Sequence, residues 1–202
     1  MTAAAPQLLV RATNLVELPV VTTSTGEAVA ETRDVIYVPE LGKIVGFTLN
    51  KRGFLAGRLK QVLGTAQIHA IGRDAVMIRE ASALETPDGE AEAHAARGRN
   101  VIGNAVLTDA GKRLGTVRDL VVELNDDAVI GYELDGDSGL QRAEGAPLLL
   151  PLPATLAVSS DTLMVPASVE EFIRNDLAGF GSAVDDFRAR LGAHPGGGSA
   201  SV

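Results

Sequence analysis

Short apolar runs rich in β-branched residues recur along the chain, separated by turn-forming clusters. Residues 34–38 and 119–124 are two such runs. Pro39-Glu40-Leu41-Gly42 and Asn125-Asp126-Asp127 follow them with turn chemistry, and residues 44–49 and 128–134 read as return strands. Each pair predicts a β-hairpin. Further short strands are predicted at 67–71, 76–79, 148–150, 156–158 and 163–165. Several short strands at even spacing point to small antiparallel barrels.

The pattern occurs twice. Displacing the sequence by 85 residues lays 26–49 on 111–134 without a gap: Gly26 on Gly111, Arg33 on Arg118, Asp34 on Asp119, Gly46 on Gly131, Leu49 on Leu134. Residues 74–78 match 161–165 at a displacement of 87, so two residues are added in a loop between. The chain therefore reads as all-β, with two tandem small antiparallel β-barrels and a short C-terminal helical appendage. The expected organisation is a first barrel over 1–80, a linker over 81–99, a second barrel over 100–167, short helices over 168–191 and a flexible tail over 192–202. A barrel of ~70 residues buries only about 60% of its unfolded surface, so two copies packed together would stabilise each other. Val35, Ile44, Phe47, Leu120, Val129 and Tyr132 are expected in the core. Ser168 with Glu171 reads as a capping box opening the first helix. Phe187 and Leu191, four apart, belong to a second helix over 182–191.

The repeated unit resembles the PRC-barrel domain family. The resemblance is carried by Gly111, Gly115, Val117, Arg118, Asp119 and Leu120, followed by a short turn and an apolar strand. The first copy offers Gly26, Arg33, Asp34 and Val35, with Ala30 where the second glycine would be, and residues 68–76 resemble the family's closing segment. The resemblance covers about 8–80 and 100–167. It implies a small β-barrel of the kind found in the photosynthetic reaction-centre H subunit. The same barrel ends a ribosome-maturation factor, where it binds a ribosomal protein, and it occurs in stand-alone and tandem bacterial and archaeal proteins. No catalytic residue is attributed to the fold, so none is carried over. The chain shows neither the membrane helix of the H subunit nor the N-terminal domain of the ribosome factor, so neither role transfers directly.

Composition narrows the chemistry. Of 202 residues, 46% are apolar but only 3% aromatic, with no Trp, so the core must be aliphatic. The absence of Cys removes disulfides, thiol catalysis and Cys-ligated metal centres. With three His, any metal site would be mostly carboxylate. Net charge is −8, which argues against general nucleic-acid binding. The charge is uneven: residues 1–80 hold nine Lys and Arg against seven Asp and Glu, while 81–202 hold nine against nineteen. The first ten residues lack the basic and apolar regions of a secretory signal. The apolar stretch 146–158 is interrupted by Pro147, Pro151 and Pro153, which disfavours a spanning helix. A soluble, cytoplasmic protein is expected.

Candidate motifs are few. Gly136-Asp137-Ser138-Gly139 matches the string around a chymotrypsin-like nucleophile, but Leu140 breaks it, and His69 and His94 sit elsewhere. It reads as a turn. Asn125, Asp126, Asp127, Glu133, Asp135 and Asp137 lack calcium-loop spacing and read as a solvated hairpin end, with a weak cation or basic-partner site as the alternative. The recurring Arg33-Asp34 and Arg118-Asp119 are expected to keep an ion pair or a side-chain-to-backbone bond. His69 is expected to pack. The glycine-rich stretch 53–58 lacks phosphate-loop spacing. The wider stretch 51–60 is more telling, because Lys51, Arg52, Arg58 and Lys60 surround Phe54 without an acid. A loop of this kind suits an anionic partner. The expectation is a non-enzymatic interaction or adaptor module with no cofactor, catalytic residue or metal. Lys51, Arg52, Phe54, Arg58 and Lys60 would form its contact site for a protein partner. An RNA- or ribosome-associated assembly factor using the same loop is the alternative, and an unrecognised hydrolase ranks last. The sequence leaves self-association open.

Overall fold

The computed structural model describes residues 8–53, 57–86, 101–135, 146–153, 157–158 and 162–193. Phe54, His94, Ser138 with its GDSG string, most of the linker and most of the C-terminal tail, from residue 194 on, lie outside them. The described residues form thirteen strands. In the first half these are β1 Leu9–Arg11, β2 Pro19–Thr22, β3 Ala28–Val38, β4 Lys43–Asn50, β5 Arg58–Gly64, β6 Ile68–Ile71 and β7 Val76–Ile78. In the second they are β8 Ala105–Thr108, β9 Arg113–Glu123, β10 Ala128–Asp135, β11 Leu148–Pro151, β12 Ala157–Val158 and β13 Thr162–Val165. They join in the order β12-β13-β8-β9-β10-β4-β3-β2-β7-β6, with β1 on β9, β11 on β10 and β5 on β4.

The sequence repeat is also a repeat of strand pairing. β3 and β9 are each eleven residues, β4 and β10 each eight, and the 85-residue displacement matches both ends of each pair. The antiparallel pairs β2–β3, β3–β4, β4–β5 and β6–β7 recur as β8–β9, β9–β10, β10–β11 and β12–β13. The parallel pair β2–β7 recurs as β8–β13. Register shifts recur as well. The β3–β4 ladder steps over Arg33 and Val45, and the β9–β10 ladder steps over Arg118 and Ile130, their repeat partners. A bulge adds twist and bends its strand, so identical bulges curl both halves of the sheet alike. Gly26 and Gly111 hold positive φ, +73° and +79°, in the turns before β3 and β9, a conformation glycine adopts without cost.

The two halves meet at the hairpin turns. The Ile44 N–H donates to the Asp127 carbonyl and the Val129 N–H to the Gly42 carbonyl, each at 2.8 Å. These bonds are one contact seen from its two ends. Behind them a single aliphatic core runs through both halves. Ile44, Phe47, Leu120, Val129 and Tyr132 are buried as expected, while Val35 is only partly covered. The Tyr37 and Tyr132 hydroxyls approach to 3.2 Å inside this core. Burial raises the pKa of both phenols above the ordinary tyrosine value.

Three expectations are corrected. His69 does not pack: it is exposed on β6, where Ile68 and Ile71 turn towards the core instead. Ser168 caps no helix, because Ala167–Phe172 is a 3-10 turn whose N-cap is Pro166. Glu171 pairs instead with Arg190 at 2.5 Å. The two short helices are one 3-10 turn and one longer helix, α1, over Phe180–Ala193. α1 lays Phe180 and Val184 on Val121, Ile130 and Leu149, on the side of the sheet away from the main core. A Cβ on Gly131 would come within 2.3 Å of the Phe180 ring, so glycine makes the seat for that ring. Among the described residues no helix is long and apolar enough to cross a membrane.

Candidate functional site

The basic stretch is a hairpin connection that runs into a strand. Lys51 donates its N–H to the Gly57 carbonyl at 3.0 Å, and Asn50 pairs with Arg58. Arg58 and Lys60 therefore lie on β5 and not in a loop as expected. The alternation had signalled this, because Leu59 between them turns inward to the core. Lys51, Arg52, Arg58 and Lys60 are all exposed, and none forms an ion pair among the described residues. The Arg52 guanidinium rests on the Ala28 carbonyl at 3.4 Å. Phe54, the remaining residue of the expected site, lies outside the described residues. The repeat partner β11 matches only the Gln61–Gly64 end of β5, reads Leu-Leu-Leu-Pro and is buried throughout, while Arg58 and Lys60 correspond in sequence to Gly145 and Pro147.

β5 has β4 on one side. On the other, among the described residues, it meets a single bridge, Val62 with Glu85, which recurs as Leu149 with Arg174. Between Arg58 and Val62 it carries two residues more than β4 does opposite. A bulged edge carrying Lys and Arg resists pairing with another sheet. A partner would thus meet charged side chains and not an open backbone edge.

A second polar site lies in the other half. β1 and the 3-10 turn Ala12–Leu15 fold onto β9, pairing Leu9 with Glu123 and Arg11 with Val121. This brings Arg11 and Thr13 against Asp119 and Glu133, which face each other across β9 and β10 and are 4% and 7% exposed. Facing carboxylates repel, so burying both requires compensation. Asp119 accepts bonds from the Thr13 hydroxyl (2.5 Å), the Thr13 N–H (3.3 Å) and the Leu120 N–H (2.8 Å). Glu133 Oε2 is ion-paired with Arg11. These groups line a cavity of about 460 Å³, whose boundary includes Asp135, Ala146 and Pro147.

The recurring Arg-Asp pair thus serves differently in each half. Arg33 Nε stays 3.5 Å from its neighbour Asp34, and the Thr48 hydroxyl donates to Asp34 at 3.3 Å. Arg118 turns to Glu133, at 3.9 Å, and Asp119 binds backbone. The acidic cluster expected from the sequence is divided. Asn125, Asp126 and Asp127 turn at one end of the β9–β10 hairpin, while Glu133 is buried towards the other end. Asp137 lies outside the described residues. Burial pushes the Asp127 carboxyl up, against a lowering bond from Thr65 and the Lys43 charge. Among the described residues no group of three His, Cys, Asp or Glu could hold a metal.

Residues 94–172 match the family model of the PRC-barrel domain, from before β8 to the end of the turn at Phe172. The chain contains a PRC-barrel domain. A comparison with curated proteins returns no match. The PRC-barrel domain holds Asp119 and Glu133, but their partners Arg11 and Thr13 come from the far N-terminal side of the matched region. No local pattern signals that clasp, because β1 is three residues long and finds its partner more than a hundred residues away. Glu133 was detectable as the one acid inside the apolar run 128–134.

Proposed function

We propose that the chain is a non-enzymatic protein-interaction module of two tandem PRC barrels, whose basic hairpin between β4 and β5 receives an acidic protein partner. The repeated pairings and bulges support the tandem reading. One observation carries the functional one: four exposed cations, Lys51 and Arg52 before β5 and Arg58 and Lys60 at its start, stand where the sequence of the second copy has Gly136, Asp137, Gly145 and Pro147. The fold thus does not require the charge. Such a patch steers an acidic surface over a Debye length of about 8 Å and sets association rate and specificity. Protein is favoured over RNA because the rest of the chain is strongly acidic and repels phosphates.

The test is a variant with Lys51→Glu, Arg52→Glu, Arg58→Glu and Lys60→Glu, purified at native abundance beside the parent chain. Because all four side chains are exposed, it is expected to fold and keep its thermal midpoint within about 4 °C. It is expected to lose a partner that the parent retains after nuclease treatment. Unchanged co-purification would refute the reading. Loss of the parent's partner on nuclease treatment would move the assignment to an RNA-associated assembly factor.

A further inference from the structure

The cavity beside Glu133 is independent of the basic hairpin and opposite to it in charge. Glu133 Oε2 is taken by Arg11. Its other oxygen, Oε1, receives no hydrogen bond among the described residues, and Arg118 Nη1 stops at 3.9 Å from it. The Glu133 side chain is only 9% exposed, so solvent reaches Oε1 only through the cavity that Glu133 lines. A buried carboxylate oxygen without a donor is costly and calls for one. Asp119 cannot supply it, because its carboxylate is itself an acceptor, engaged by Thr13 and Leu120. Arg118 is 64% exposed along its side chain, so it is held loosely and can swing away. Arg11, Arg118, Asp119, Glu133 and Asp135 together leave the lining with one net negative charge.

The repeat sharpens the contrast. Thr48 stands where Glu133 stands, and Asn50 where Asp135 stands, with Lys51 and Arg52 next along the chain. The same end of the duplicated hairpin is cationic in the first half and anionic in the second. The volume, about 460 Å³, falls in the range of roughly 300–1,000 Å³ seen for small-ligand sites.

We infer that this cavity binds a single alkylammonium or guanidinium group on Glu133 Oε1, as carried by a lysine or arginine side chain of a protein partner. The entering cation displaces Arg118, with Asp135 as a second, exposed carboxylate on the boundary. A free polyamine carries the same chemistry and is separated from a protein side chain by experiment.

The uniformly ¹⁵N-labelled chain is titrated with n-butylammonium, n-butylguanidinium and, as a neutral control, n-butanol. Saturable shifts are expected at the amides of Thr13, Glu133, Leu134 and Asp135 with both cations and not with butanol. Glu133→Gln is expected to weaken binding at least tenfold. That variant also disturbs Arg11, so two others leave the clasp untouched. Asp135→Asn is expected to weaken binding about two- to fivefold, and Arg118→Ala, which removes the competing cation, to tighten it by a similar factor. A capped Gly-Lys-Gly peptide that binds at least as well as spermidine assigns a protein side chain as the source; the reverse order assigns a free polyamine and overturns the protein side chain. Equal shifts with butanol, or unchanged affinity in both Asp135→Asn and Arg118→Ala, would overturn the cation site itself.

Discussion

Replacing Asp119 with Ala is expected to cost about 2–4 kcal/mol, while the same change at its repeat partner Asp34 costs under about 1 kcal/mol. Asp119 is 4% exposed and accepts three hydrogen bonds, two from Thr13 and one from Leu120. Bonds to a charged acceptor are worth roughly 1.5–3 kcal/mol each, but they do not simply add. Thr13 faces solvent, so its hydroxyl and N–H regain much of their bonding from water. The Leu120 N–H, in a residue 1% exposed, does not. Removing Asp119 also relieves its repulsion of Glu133 on the facing strand, which returns up to about 1 kcal/mol. At Asp34 the side chain is 36% exposed, and its ion pair with Arg33 is screened. The assay is urea unfolding of both variants at pH 7 beside the parent, with hydrogen exchange at the Val10 and Arg11 amides as the local readout. Asp119→Ala should free those amides at denaturant concentrations where the rest of the sheet stays closed. Equal costs at the two positions, or a cost below about 1 kcal/mol for Asp119→Ala, would refute the view that this carboxylate anchors the N-terminal clasp.

Further outcomes follow from the core and from α1. Gly131→Ala should cost about 1–3 kcal/mol by overpacking Phe180, and Phe180→Ala about 3–5 kcal/mol, both read by thermal unfolding. In the double variant the cost should stay below the sum, because the clash with the ring is gone while that with the Leu150 carbonyl, 2.7 Å away, remains. Tyr132→Phe should cost about 1–3 kcal/mol by stranding the Tyr37 hydroxyl, and adding Tyr37→Phe should recover part of it. Both phenols have raised folded-state pKa values, so their stabilising contribution is complete below about pH 10 and is lost as pH rises beyond it. Unfolding midpoints above pH 10 should therefore fall more steeply in the parent than in the double Phe variant. Parallel slopes would contradict the burial of the pair.

The hairpins and their duplication were legible because the 85-residue displacement preserves strand lengths and bulges alike. Arg33 and Arg118 recur in the sequence for a reason that composition does not show: each is the extra residue that bends its strand. β5 was missed because Gly53 and Gly57 suggested a loop, although Arg58-Leu59-Lys60 already alternated outward and inward. The clasp was not legible at all. Arg11 and Thr13 are ordinary polar residues locally, and only the tertiary pairing of β1 with β9 brings them to Asp119 and Glu133. The capping box failed for a related reason. No α-helix opens at Ser168, and Glu171 instead pairs with Arg190 on α1, a contact that only the tertiary fold makes.

The role of the basic hairpin is tested most directly by photo-crosslinking in cells from single positions in the full chain. A photoreactive residue is placed at Arg52, Arg58 or Lys60, and for comparison at Arg73, which is also exposed but already paired with Asp74. The three hairpin positions are expected to capture one and the same acidic protein, with yield falling as salt is raised during crosslinking in lysate, and Arg73 is expected to capture none of it. Capture of that protein equally well from Arg73, or no discrete product from any hairpin position, would contradict the assignment of this strand as the contact surface.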